Sequence, residues 1–291
     1  MIQLAAANHL GRVGIFYLSF ISLRIAFASD LKSHRTDRTY TSSSLYNAVK
    51  RNDRDLVERL LTQGKDVNEL SNSGALALHL AVSHGHVDLV RFLIFQGADI
   101  RKQDPAGKSV LHWAILAREE HLKAQQLNRY ELVELLLKSG APVNLTNKQG
   151  QTPLHLATIK EFSDIARLLI EAGGAIDQPD KHGATPLYVA CRANKKSMVK
   201  LLLMGKAAVD TPCENKNTAL HLASYMGVTE IVSMLLKSSA KVDIKNSDNC
   251  SALDLSRASP HQKERKIIET MLLEASAKFD LQQIMSERAM R

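Results

Sequence analysis

The side chains of this 291-residue chain best suited to ligate a metal or attack a substrate are its eleven histidines and three cysteines. A structural zinc site needs four ligands at short paired spacings, and a disulfide framework needs cysteines in even number. Cys191, Cys213 and Cys250 are odd in number, form no CxxC pair and have no histidine at metal-ligand spacing. They predict neither kind of site, and a reducing compartment suits them better. Cys191 follows Ala190 in an apolar stretch with no base fixed beside it, which suits a small core residue rather than a nucleophile. The sequence also contains no Gly-rich phosphate loop, HExxH or GxSxG. No catalytic residue, metal or cofactor is expected.

The histidines show a different regularity. Leu-His or its equivalent recurs at Leu78-His79, Leu111-His112, Leu154-His155, Leu187-Tyr188, Leu220-His221 and Leu253-Asp254, with intervals of 33, 43, 33, 33 and 33 residues. Counting back one period reaches Leu45-Tyr46, which gives seven units. A second apolar pair follows each of the first six, from Leu60-Leu61 to Leu235-Leu236, leaving room for two short antiparallel helices and a hairpin per unit. Local chemistry supports those elements. Thr152 and Thr185 suit helix N-caps, Pro153 and Pro186 suit the first helical position, where no N–H partner is needed, and Gly64, Gly97, Gly140 and Gly173 suit left-handed helix stops. A unit this thin cannot bury its own apolar face, so stability must come from stacking.

Gly150-Gln151-Thr152-Pro153-Leu154-His155-Leu156-Ala157 and Gly183-Ala184-Thr185-Pro186-Leu187-Tyr188-Val189-Ala190 resemble the signature of ankyrin repeats. The resemblance covers residues 43 to about 277. It implies an all-α solenoid with short β-hairpin turns, in which the motif histidines His79, His112, His155 and His221 brace the turn. It further implies a non-catalytic interaction scaffold or adaptor whose concave face contacts another protein four and five residues after each motif histidine. Here those positions are Ser83-His84, Leu116-Ala117, Ile159-Lys160, Arg192-Ala193 and Tyr225-Met226. Leu116, Ile159, Lys160, Arg192, Tyr225 and Met226 would form the centre, and hairpin residues such as Lys148, Gln151, Lys181 and Glu214 the polar rim. The resemblance also makes Asn68 and Asn144 candidates for asparaginyl hydroxylation, because each follows a leucine by eight positions.

Departures from the pattern are informative. Leu76-Ala77 replaces the Thr-Pro pair and removes an N-cap, while Lys206, Ser239, Lys216 and Asn249 stand where the other units carry glycine. Trp113 follows the motif histidine of the third unit, where it is expected to pack within the stack. The 43-residue interval marks an insertion, 118–129, that is rich in helix formers and is expected to lengthen one or both helices of the third unit, as a tolerated extension or a contact arm. Residues 278–291 are taken as a C-terminal tail.

Composition limits the alternatives. With 45% hydrophobic and 23% charged residues the chain should fold. Its net charge of +8 admits a nucleic acid or anionic surface as an alternative ligand, but the densest clusters, Lys195-Lys196 and Lys263 to Lys266, sit among acids and apolar residues as on a solvated helix face. Residues 1–42 form a leader or linker. Its uncharged run Val13–Leu23, after Arg12 and before Ala26-Phe27-Ala28, has the form of a secretory signal; a mitochondrial presequence or no targeting role are the other readings. The run is about half what a membrane span requires. A monomer in the cytoplasm or nucleus is expected, or a secretory or membrane-associated protein if the leader is a true signal.

Overall fold

The computed structural model describes residues 45–289 apart from 72, 73, 126 and 127; the expected leader, 1–42, lies outside the described residues. Seven helical pairs follow in order. They are α1 (Leu45–Lys50) with α2 (Arg54–Thr62), α3 (Ala77–Ser83) with α4 (Val87–Phe95), and α5 (Val110–Leu116) with α7 (Arg129–Lys138), separated by the inserted α6 (Glu119–Ala124). Then come α8 (Pro153–Lys160) with α9 (Ser163–Glu171), α10 (Pro186–Arg192) with α11 (Lys196–Met204), α12 (Ala219–Tyr225) with α13 (Thr229–Lys237), and α14 (Ala252–Arg257) with α15 (Gln262–Ala289). First helices pack on first helices from α1 to α14, and from α7 to α15 second helices pack on second helices.

The first helices are too short to be stable alone and are held by burial. Ala48, Ala81, Ala114, Ala157, Ala190 and Ala223, one in each of the first six units and two residues after the motif position, are 0–1% exposed, and Ser256 takes that place in the seventh. Their size lets neighbouring helices approach closely, and a larger side chain there would cost about 1–3 kcal/mol in overpacking. The second helices contribute one face each, as Leu89, Val90 and Leu93 do in α4 and Ile231, Val232 and Leu235 do in α13. Cys191 is fully buried and its thiol is pushed up to about 12 by that burial, so it is a core residue.

Hairpins join the units edge to edge. In one, Asn147 N–H donates to Gln151 O and Gly150 N–H to Asn147 O, both at 2.9 Å. Tips are tied across units by Lys148 N–H to Ala106 O, Lys181 N–H to Gln149 O and Ser247 N–H to Asn215 O. Backbone pairing between hairpins is sparse, and among the described residues the only strand-type bridge is Leu70 with Leu76. A side chain on Gly150 would meet Lys181 N at 2.7 Å, which explains the glycine. Lys206 and Ser239 adopt the left-handed conformation of the helix-stop glycines, with φ of 64° and 65°, as the sequence alignment of the units requires.

Two expectations are corrected. The insertion does not lengthen either helix of the third unit: Ala117 and Arg118 take extended conformations that end α5, and Asn128 N-caps α7, so α6 is a separate helix. Nor does the second helix of the seventh unit stop at 277 before a separate tail. It runs to Ala289, because residues 278–289 contain no Gly or Pro to end it.

Candidate functional site

At the motif position of the first, third, fourth and sixth units a side chain, Tyr46, His112, His155 or His221, reaches into the next hairpin. His155 shows the full arrangement: Nδ1 accepts from Thr152 N–H at 3.1 Å and from Thr152 Oγ–H at 2.9 Å, so the proton sits on Nε2 and is donated to Ala184 O at 3.1 Å. His112 repeats it with Ser109 and Gln151 O, and His221 with Thr218 and Cys250 O. Burial lowers the pKa of all three and keeps them neutral. In the first unit Tyr46 donates to Glu69 O at 2.5 Å. In the seventh, Asp254 takes the place of Nδ1, accepting from Ser251 Oγ–H at 2.7 Å and Ser251 N–H at 2.8 Å; these bonds and Lys245 hold its carboxyl well below the usual carboxylate range. His79 differs, because Leu76 supplies no hydroxyl. It is fully buried, neither ring nitrogen makes a hydrogen bond of good geometry, and burial, opposed only in part by Asp104 and the Lys102 backbone, lowers its pKa to about 4. His112, His155 and His221 are thus structural braces, and no group of three metal-ligating side chains occurs among the described residues.

A different set of residues is left open to solvent. Leu116, Ile159 and Tyr225 close the first helices α5, α8 and α12, are 37%, 39% and 46% exposed, and Lys160 and Arg192 beside them are exposed as well. Because α5, α8, α10 and α12 pack side by side, equal positions on them form a row along the array. Other exposed apolar residues do not form one: Phe95 and Met204 end second helices three units apart.

The insertion shapes one end of this row. Leu122 is 1% exposed, its Cδ2 lying 3.2 Å from where a side chain on Gly85 would begin; His121 Nδ1–H donates to Ser83 O at 3.2 Å, and the His121 ring stacks on His84 at 4.5 Å. Arg129 clamps the other end, donating to Ala117 O, pairing with Glu119 and lying 4.5 Å over the ring of Phe162. An open depression of about 460 Å³ results, lined among others by Lys50, Lys108, Trp113, Leu116, Arg118 and His121.

Comparison with known proteins settles the family. The family model for ankyrin repeats in three copies matches residues 45–124 and 120–211, and that for the single ankyrin repeat matches 215–247. The chain is an ankyrin repeat protein. Among solved structures it is similar to the ankyrin repeat domain of Bcl-3, "a unique member of the IkappaB protein family", at 29% identity and a TM-score of 0.67, covering 78% of this chain and 98% of that one. It is also similar to the human ASB11 ankyrin repeat domain, at 26% identity and a TM-score of 0.61, covering 80% and 97%. No curated protein matches the chain. Ankyrin repeats are in general protein–protein interaction modules. Among the described residues no helix is long and apolar enough to cross a membrane.

Within the ankyrin frame the expected contact residues fare unequally. Met226 is half-buried at the end of α12, Ala117 is buried, and Ser83 and His84 lie half-buried under the insertion. Of the rim, Lys148 and Lys181 are exposed, while Gln151 is half-buried and spent on its own hairpin, accepting at Oε1 from Asn147 and at its carbonyl from His112. Glu214 begins a 3-10 turn; its side chain lies outside the described residues. Asn68 and Asn144 are engaged as braces, each donating to the helix-stop carbonyl of the next unit, Gly97 and Gly173, and accepting from Asp99 N–H and Ala175 N–H. One pattern the sequence held went unused. Asp104, Asn147, Asp180 and Asn246 recur four residues before the end of each hairpin and accept two N–H groups each, whereas Cys213 cannot, and its hairpin becomes the 3-10 turn.

Proposed function

We propose that this ankyrin array is a non-catalytic scaffold or adaptor that binds a partner protein along the row Leu116, Ile159, Lys160, Arg192 and Tyr225 of its concave face. The observation that supports it most is that Leu116, Ile159 and Tyr225 are exposed at equal positions along the row of first helices α5, α8, α10 and α12, with Arg192 at that position on α10. Aromatic and aliphatic anchors beside an arginine are the composition of an interface centre. Affinity capture with the full chain supplies a partner for measurement. Tyr225→Ala should weaken that partner by about 2 kcal/mol, roughly thirtyfold, and change unfolding stability by less than about 0.5 kcal/mol. Leu235→Ala, at a fully buried position, should do the opposite, costing about 2–5 kcal/mol of stability. If Tyr225→Ala unfolds the array but leaves the affinity of the folded fraction unchanged, the row belongs to the core. Nucleic acid as ligand, suggested by the +8 charge, would instead show steep salt dependence.

A further inference from the structure

The depression beside the inserted helix has a chemistry of its own. Three cations from separate parts of the chain line it: Lys50 at the end of α1, Lys108 before α5, and Arg118 at the start of the insertion. No acidic residue lines it, and among the described residues none of the three cations forms an ion pair. Other lysines of the stack meet acids, as Lys195 meets Glu161 and Lys196 meets Glu230, and the depression offers none. The floor is apolar and fixed. Trp113 donates its indole N–H to Asp104 at 3.1 Å, stacks on His79, and carries the Lys108 ammonium 5.5 Å over its ring; Leu116 lies beside it, part-exposed. Asp104, the carboxylate that touches Trp113, is spent on that bond and on the N–H groups of Ala106 and Lys108.

We propose that this depression receives an acidic segment of the partner protein, seating a carboxylate among Lys50, Lys108 and Arg118 and an adjoining apolar side chain on Trp113 and Leu116. The proposal rests on the concave-face reading and adds the partner's chemistry to it. An arginine and two lysines facing one volume match a carboxylate, with the arginine able to bind it through two parallel N–H groups. Their field already acts there: after burial and the His121 ring, Lys50 and Arg118 are what disfavour the protonated form of His84. The platform is immobilised before any ligand arrives, which lowers the ordering cost of binding. A nucleic-acid surface would need cations tracking successive phosphates, whereas the row continues from here into Ile159 and Tyr225. The insertion thus acquires a use: it docks through Leu122 and His121 and thereby fixes Arg118 over the site.

Trp113 is the only tryptophan in the chain, so its emission reports occupancy directly. Random peptides displayed on phage, selected on the full chain, should yield sequences with Asp or Glu beside an apolar residue. A synthetic peptide of that consensus should shift Trp113 emission saturably, bind about tenfold more weakly to Arg118→Glu and to Lys50→Glu, and weaken with added salt. Both positions are exposed, and melting curves check that the reversed variants stay folded. The proposal is overturned if selection enriches nothing, if the consensus lacks acids, or if oligo-dT moves the emission and acidic peptides do not. Peptides indifferent to both reversals but lost in Ile159→Ala or Tyr225→Ala overturn this pocket and leave the concave face standing. Peptides indifferent to all four variants overturn both.

Discussion

The imidazole of His79 lies face to face with the indole of Trp113, ring centroids 6.0 Å apart and planes 12° apart, with no hydrogen bond of good geometry at either nitrogen. His155, at the same position two units later, has three. One motif residue therefore occupies two energetic situations within one stack.

Replacement by leucine should separate them. At neutral pH His79→Leu removes two buried polar atoms that make no hydrogen bond of good geometry and keeps similar volume, so stability should change by less than about 1 kcal/mol or rise. His155→Leu strands the Ala184 carbonyl and the Thr152 donors and should cost about 2–4 kcal/mol. Urea unfolding of the two variants measures the contrast; equal losses would mean that the bonds of His155 contribute nothing net.

Acid should destabilise the array through the same residue. His79 has a pKa lowered from 6.5 to about 4 by burial, so between those values the unfolded chain holds a proton that the folded chain does not. Stability must then fall as pH drops from 6.5 toward 4, and the loss levels off below that, amounting to about 3 kcal/mol from this side chain. His112, His155 and His221 shift in the same direction. His79→Leu should match the parent at pH 7 and exceed it near pH 4. Parallel curves from unfolding titrations would contradict this.

Leu122 tests how the insertion is held. It is fully buried, yet α6 is short and flanked by chain that can open without the stack, so the cost of Leu122→Ala is capped by the free energy of docking α6. Amide exchange should rise over residues 119–124 while α8 to α13 stay protected, with a global loss below the roughly 2–5 kcal/mol of a core leucine. Exchange rising throughout would make the insertion integral to the core.

Asn68 and Asn144 offer a further check, since hydroxylation there is proposed from the family resemblance. Both carboxamides are bonded to the next unit, so a modifying enzyme needs the hairpin opened. Peptide mass spectra should show one added oxygen at Asn68, the hairpin nearer the end of the described array. Asn68→Asp should cost about 1–3 kcal/mol, because it replaces the donor to Gly97 O with a second acceptor. Absence of the added oxygen from expressing cells removes the proposal.

What the sequence made legible was whatever short-range rules govern. The 33-residue period, the helix-stop positions of Lys206 and Ser239, and the Thr-His pairs all follow from backbone conformation or bonds within a few residues. The separate α6 was readable as well, since Asn128 and Glu131 form a capping box that starts a new helix, and the unbroken run past Ala277 carried no stop. The burial of Ser83 and His84 was not readable. It depends on Leu122 and His121 folding back across some forty residues of chain, a contact that no local spacing encodes.

The reach of the motif histidines of the third, fourth and sixth units into the following hairpin gives the array a direction. His112, His155 and His221 all hand their proton forward, toward higher residue number, and none receives one from the unit behind. As the chain emerges during synthesis, a finished unit therefore waits with a donor extended, and the arrival of the next carbonyl closes the joint. Removing a unit from the leading edge would expose an imidazole N–H, and removing one from the trailing edge a backbone carbonyl, so the two ends of a cut array present water with opposite hydrogen-bonding groups. With Asp254 the sequence of donors closes on an acceptor, so the seventh unit ends the forward grip without leaving a proton unclaimed.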